Sequence, residues 1–205
     1  MTRSAALVLV LVTALTISGV VYAMMQPSSD PDPLQLPRDA SLAHKLSWAL
    51  AVHGVVRDAL PQLPEASALL VTAHAALESG WGSIGHLSAT RDMFNLTAGK
   101  AWLAAGKPVL HQENADYEYR ADGSRVRIAQ DWRKYASLRD AVLDYWEFLG
   151  ASRYEAQGVR AALERADLQA FTRSLYAGGY YTLPPEQYLS GLLGVLTRIR
   201  TGVFQ

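Results

Sequence analysis

Residues 64–82 constrain the fold of this chain more than any other stretch. Ala66, Leu69, Leu70, Ala73, Ala76 and Leu77 recur at helical spacing, Pro64 and Glu65 supply starting signals, and Gly80 supplies a stop. The pattern predicts an amphipathic helix with Glu78 in its last turn, followed at once by Ser79-Gly80-Trp81-Gly82. Carbonyls left unpaired there present the negative end of the helix dipole, and partial burial beside Trp81 adds a second penalty on a carboxylate's charge. Both effects favour a protonated carboxyl, the form a glycosidase acid needs if it is to give its proton to a leaving oxygen near neutral pH. A solvated glutamate at an unfavourable helix end fits the same position, and the residues alone leave both readings open.

The 205 residues, half of them apolar, suffice to bury one sizeable core, which favours a single folded domain. A net charge of zero provides no basic field to gather nucleic acid, and nucleic acid is not expected as a partner. The absence of cysteine excludes disulfides, thiolate metal sites and cysteine nucleophiles. Arg3 precedes an uncharged, mostly aliphatic run from Ala5 to Ala23 that closes in Val21-Tyr22-Ala23, the pattern of an export segment. Residues 1–25 are therefore expected to form a signal peptide or a membrane anchor, with membrane attachment through residues 5–23 in the second case. Pro27, Pro31, Pro33 and Pro37, set among Ser28, Ser29, Asp30 and Asp32, make residues 26–40 an extended Pro-rich linker. Residues 41–205 remain as the domain.

Within that domain a first helix is expected from Ser41 to Leu60, ended by Pro61. Regularity fades after Gly85, and from Tyr117 alternation takes over. Tyr117 and Tyr119 would occupy one face of a strand, Ala121-Asp122-Gly123 would turn it, and Val126, Ile128 and Trp132 would alternate on the return. Ser137, with Asp140 three residues on, caps a helix whose stripe includes Leu138, Ala141, Val142, Tyr145, Phe148 and Leu149. Two more helices are expected, from Asp167 to Ala177 and from Pro184-Pro185 onward, the latter carrying Tyr188, Leu192, Val195, Leu196 and Ile199 on one face. The predicted fold class is mainly α (α+β), a helical domain with one small β-hairpin lobe flanking a groove, where binding sites tend to form.

A helix ending in Ala-Leu-Glu-Ser-Gly-Trp-Gly, an Asn-Leu loop, a hairpin and then helices with a Gly-Tyr turn resemble the glucosaminidase domains of glycoside hydrolase family 73. These include the peptidoglycan-cutting domain of flagellar rod proteins. The resemblance spans roughly residues 69–199 and implies a lysozyme-like fold and peptidoglycan glycan strands as substrate; no cofactor or metal is expected, and the export segment points to the periplasm or cell envelope. It implies that Glu78 is the general acid. Asn95-Leu96-Thr97-Ala98-Gly99-Lys100 stands where family members show Asn-Leu-Phe-Gly and Lys, which suggests Phe94, Asn95 and Trp102 as groove residues, with core or turn roles as the alternative. Glu118 best matches the family's second acid; a solvated strand residue paired with Arg120, Arg125 or Arg127 is the alternative, and Glu113 and Asp116 compete for the role. Tyr180 matches the aromatic of the family's Gly-Tyr turn, which implies a catalytic part for its hydroxyl in holding the N-acetyl group or positioning water, although Leu183 replaces the usual Asp there. Trp81 and Tyr181 complete the expected substrate-binding set. A muramidase, a lytic transglycosylase, or a wall-binding module without turnover would share this architecture.

Other constellations find little support. His74 shares a helix face with Glu78, but the five histidines show no metal-ligand spacing, and a groove-side or surface histidine is the simpler expectation. Arg120, Arg125, Arg127, Arg133, Lys134 and Arg139 form a local basic cluster expected to be a solvated face. No nucleophile elbow, phosphate-binding loop or dinucleotide fingerprint is present.

Overall fold

The computed structural model describes residues 35–119 and 125–203, with the side chains of 114–119 and 125 left aside. The expected signal segment and most of the linker lie outside those residues, as do Arg120 and the Ala121-Asp122-Gly123 turn. Among the described residues no helix is long and apolar enough to cross a membrane.

The hydroxyl of Ser41 accepts the His44 amide at 3.3 Å and opens α1, Leu42–Ala59. Helix α2, Glu65–Glu78, follows after a short turn. It is not amphipathic as expected: every residue from Ser67 to Ala76 is buried. The alanines at 68, 73, 75 and 76 let neighbouring helices approach on all sides, which makes α2 the central rod of the domain. Around it pack α1, α7 (Val159–Glu164) and α9 (Pro185–Val203).

Between α2 and the sheet, the aperiodic stretch contains two one-turn helices, α3 (Leu87–Thr90) and α4 (Lys100–Ala104). The hairpin pairs β1 (Val109–Tyr119) with β2 (Arg125–Arg133). Strand β1 starts at Val109 rather than Tyr117, because His111, Gln112 and Glu113 are all exposed and leave no alternation to read. Its register runs Val109 to Arg133 and Gln112 to Gln130, then resumes at Asp116 to Ile128 after an irregularity in which β1 uses more residues than β2. The hairpin base is tied to the loop after Asn95 by the Ala98 amide donating to Asp131 O (2.7 Å) and the Arg133 amide donating to Leu96 O (3.1 Å).

Ser137 caps α5, Leu138–Leu149, its hydroxyl accepting the Asp140 amide at 3.1 Å as the sequence predicts. Two short helices that the sequence pattern did not disclose, α6 (Ser152–Glu155) and α7, precede α8, Leu168–Ala177, where Asp167 accepts the Ala170 amide. The main core joins Trp48, Val52 and Val56 of α1 to Leu70, Tyr145, Leu149, Phe171, Leu192 and Ile199. A second, smaller cluster of Ala98, Trp102, Tyr135 and Ala141 sits by the hairpin base.

Candidate active site

The chain leaves α2 through three successive left-handed residues, Gly80 (φ 56°), Trp81 (φ 60°) and Gly82 (φ 80°). Ser79 holds this turn: its hydroxyl donates to Ala75 O (2.7 Å) and accepts the Gly82 amide (2.9 Å), while the Trp81 amide donates to Ala76 O (2.7 Å). The left-handed backbone at position 80 favours glycine, and a Cβ there would meet Ser83 Oγ at 2.9 Å and force that hydroxyl to shift. Trp81 accepts a backbone conformation that costs an L-residue roughly 1–2 kcal/mol, and burial of its indole in the core offsets that strain.

So terminated, α2 delivers Glu78 with its side chain 16% exposed. The hydroxyl of Tyr188, from α9, donates to Glu78 Oε1, and His74 Nε2 lies 3.5 Å from the same oxygen. Glu78 borders a cavity of about 260 Å³ with Asn95, Thr97, Trp132, Phe148, Arg153 and Tyr180. A neighbouring cavity of about 360 Å³, bordered by Arg38, His86 and Gln112, shares Asn95 and Trp132 with the first. The two are lobes of one groove between the helical body and the hairpin.

Asn95 sits at φ 56° in a loop organised by buried Asp92, whose carboxylate accepts the Phe94 amide at 3.0 Å and the Leu96 amide at 2.5 Å. Burial pushes Asp92 up to about 7 against the lowering effect of those amides. Tyr180 donates to Phe94 O at 2.7 Å. Burial first, and then the charge of Glu78, hold its hydroxyl well above the usual phenol range, so it serves as a donor. Trp132 stacks on His86 at 4.4 Å, with 12° between the rings, and its Nε1–H donates to Gln112 at 3.2 Å. Burial lowers His86 to about 4, and its buried Nε2 has no partner among the described residues.

Of the residues expected in the site, the structure brings Glu78, Asn95 and Tyr180 together at one cavity. Trp81, Phe94 and Trp102 do not border either lobe. Trp81 packs in the core; Phe94 is fully buried and stacked on Tyr145 at 3.8 Å; Trp102 packs edge-on to Tyr135 and donates to Pro108 O. Tyr181 donates to Thr172 O and stacks on Tyr188 at 3.8 Å, bracing that ring without bordering either lobe. Glu118 pairs in the backbone with Val126, and its side chain lies outside the described ones. Of its competitors, Glu113 is exposed against His111, and the Asp116 side chain is likewise not described. His74 is neither at the groove nor at the surface but wholly buried. Arg133 departs from the expected solvated face, ion-paired to Asp144 at 2.6 Å and 14% exposed.

Trp132, His86, Phe148 and Arg153 are groove residues that the sequence did not reveal as such. Phe148 and Trp132 were legible only as apolar positions in a helix and a strand, and nothing local distinguishes a core aromatic from one at a cavity edge.

A carboxyl in the floor of a groove between a helical body and a β-hairpin defines a lysozyme-like glycoside hydrolase. Residues 62–201 match the family described as glucosaminidase, mannosyl-glycoprotein endo-β-N-acetylglucosaminidase. The chain belongs to this glucosaminidase family, glycoside hydrolase family 73. Among solved structures, a peptidoglycan hydrolase mutant from Sphingomonas sp. A1 is similar at 26% identity and a TM-score of 0.53, over 78% of this chain and 99% of that one. The unmutated peptidoglycan hydrolase from Sphingomonas sp. A1 is similar at 25% identity and a TM-score of 0.51, over 74% and 91% of the two chains. The catalytic domain of the autolysin Auto from Listeria monocytogenes, at 18% identity and a TM-score of 0.58 over 87% and 90%, shares the fold. Comparison with curated protein sequences gives no match.

Proposed function

We propose that this chain is an exported peptidoglycan hydrolase, an endo-β-N-acetylglucosaminidase in which Glu78 is the general acid. The observation that supports this most is the placement of Glu78: in the groove, shielded from bulk water, with Oε1 held by a neutral donor rather than by a cation. With a glycan strand along the groove, Glu78 donates its proton to the glycosidic oxygen as the bond from that oxygen to C1 of N-acetylglucosamine breaks. Positive charge then develops on the sugar ring. On the far side either water attacks C1, losing its proton to Glu118, or the carbonyl oxygen of the sugar's own N-acetyl group attacks C1 and water opens the resulting ring, its proton returning to the Glu78 carboxylate. Tyr180, Asn95 and Trp132 border the same cavity, which supports binding of the substrate's amide and hydroxyl groups by Tyr180 and Asn95 and apolar contact with a sugar ring by Trp132. The hydrophobic run 5–23 and the Pro-rich linker 26–40 support delivery to the periplasm or cell envelope, with the domain either released or kept at the membrane.

The test is digestion of purified peptidoglycan, with soluble fragments reduced and read by mass spectrometry. N-acetylglucosamine at the reduced ends supports the reading. Muramic acid ends would make the protein a muramidase, anhydromuramic ends a lytic transglycosylase, and binding without release a wall-binding module.

A further inference from the structure

Behind Glu78 lies a buried polar chain that the proposed reaction does not by itself require. His74 stands one helical turn before the acid on α2 and is completely shielded from solvent. Its Nε2 lies 2.5 Å from the Tyr188 hydroxyl and its Nδ1 lies 2.7 Å from the Tyr145 hydroxyl. Tyr188 in turn donates to Glu78 Oε1. The rings of Phe171, Tyr180 and Phe94 surround the imidazole at 5.4, 5.2 and 6.3 Å between centres. Such a dry enclosure requires that every polar atom be satisfied, because an unpaired one would carry a desolvation penalty.

Donors and acceptors along the chain then follow from counting protons. A phenol has one proton, so Tyr188, which gives its proton to Glu78, must receive one from His74 Nε2. In a neutral imidazole Nδ1 is then bare and accepts from Tyr145. Burial, and next the charge of Glu78, hold both phenols far above their usual range, so neither is lost as a donor.

We propose that His74, as its Nε2–H tautomer, is a positioning residue that acts through Tyr188 to fix Glu78 Oε1 as a permanent acceptor and thereby assigns the acid proton to Oε2. This rests on the reading of Glu78 as the acid. A carboxylic acid can place its proton on either oxygen and rotate about its last torsion; a donor fixed on Oε1 removes that freedom before the substrate arrives. Three other groups face the acid or the relay. Tyr180 lies beside both, with its own proton directed to Phe94 O, and Arg153 borders the Glu78 cavity with its guanidinium on Tyr154. Tyr181 stacks on the outer face of Tyr188.

The full chain labelled with ¹⁵N-histidine, compared by long-range ¹H–¹⁵N correlation with His74→Gln to assign the signal, should show His74 protonated at Nε2 and bare at Nδ1. Turnover of solubilised glycan strands should fall about 10- to 100-fold in kcat in Tyr188→Phe and in His74→Leu, with KM within about two-fold of the parent. The two substitutions combined should be little worse than either alone, since they interrupt one chain. His74→Gln, whose amide can both donate to Tyr188 and accept from Tyr145, should recover most of the loss, which a purely space-filling role would not explain. A proton on Nδ1 would overturn the proposal, as would an undiminished kcat in Tyr188→Phe with Glu78→Gln inactive; a Glu78→Gln protein that still turns over would instead remove the acid assignment on which it rests.

Discussion

The two walls of the groove are built by different means. On the helical side Glu78 ends a helix buried from Ser67 to Ala76, and Tyr188, Tyr180 and His74 reach it from the same continuous core. On the other side two strands stand with His111, Gln112 and Glu113 exposed, and Trp132 is the large buried aromatic that β2 contributes to the groove. A lone hairpin is marginal, so this wall depends on its ties to the Leu96–Ala98 loop and on the small cluster around Trp102 and Tyr135. On the proposed reading the contrast divides the labour: the helical wall holds Glu78 through packing and hydrogen bonds, whereas the hairpin wall brings Trp132 to the cavity the glycan would enter. Changes behind Glu78 should therefore register as lost stability or lost turnover, and removal of the Trp132 ring on the hairpin as altered binding.

The largest effect expected is that of Phe94→Ala, which empties a fully buried site between Tyr145 and the loop carbonyl that holds Tyr180; urea unfolding should show a loss of about 3–5 kcal/mol. Next comes Asp92→Ala, which strands the Phe94 and Leu96 amides and should cost about 2 kcal/mol in the same assay.

Asp92 also gives a pH signature. Because its native value is raised from 3.8 to about 7, the folded protein holds this proton where the unfolded chain has lost it, so stability from this group is full below 3.8 and declines as pH rises towards 7. His86 and His53, both lowered by burial, tilt stability the other way, but they do so equally in parent and variant. Unfolding free energies of the parent and Asp92→Asn, compared at about pH 4.5 and about pH 7.5, should show the parent losing more, or gaining less, over that interval.

Smaller still is Trp132→Ala, on the hairpin: KM for glycan strands should rise roughly ten-fold with kcat nearly unchanged, and a fall in kcat alone would break the division between the walls. His111→Ala marks the lower end. Side-chain hydrogen bonds to Glu113 and then Asp131 raise its titration, yet these pairs stand in solvent, and the melting temperature should not move measurably.

The same contrast governs what could be read from the sequence. Helices with strong local signals emerged at nearly their observed bounds, Ser137 acting as a cap and Pro61 and Gly80 as stops, because capping, proline and glycine effects act over one turn. Glu78 stood out for the same reason. The environment of α2 did not, since an alanine-rich helix wrapped on all sides and one with a single buried face share the same apolar spacing. Phe94, Trp81 and Trp102 looked like sugar-binding aromatics because residue type cannot tell a ring facing the core from one facing a groove; Trp132 escaped notice for the converse reason. His74 shows the limit most clearly: its spacing from Glu78 was visible, but its two tyrosine partners come from residues 71 and 114 positions away.

The most direct test of the account sets the parent protein beside Glu78→Gln on purified peptidoglycan, with fragment release, wall binding and thermal melting measured on both. Removal of the acid should lower release by about 10³-fold or more while binding and melting stay near the parent's. Comparable release from the two proteins would contradict the assignment of Glu78 as the acid.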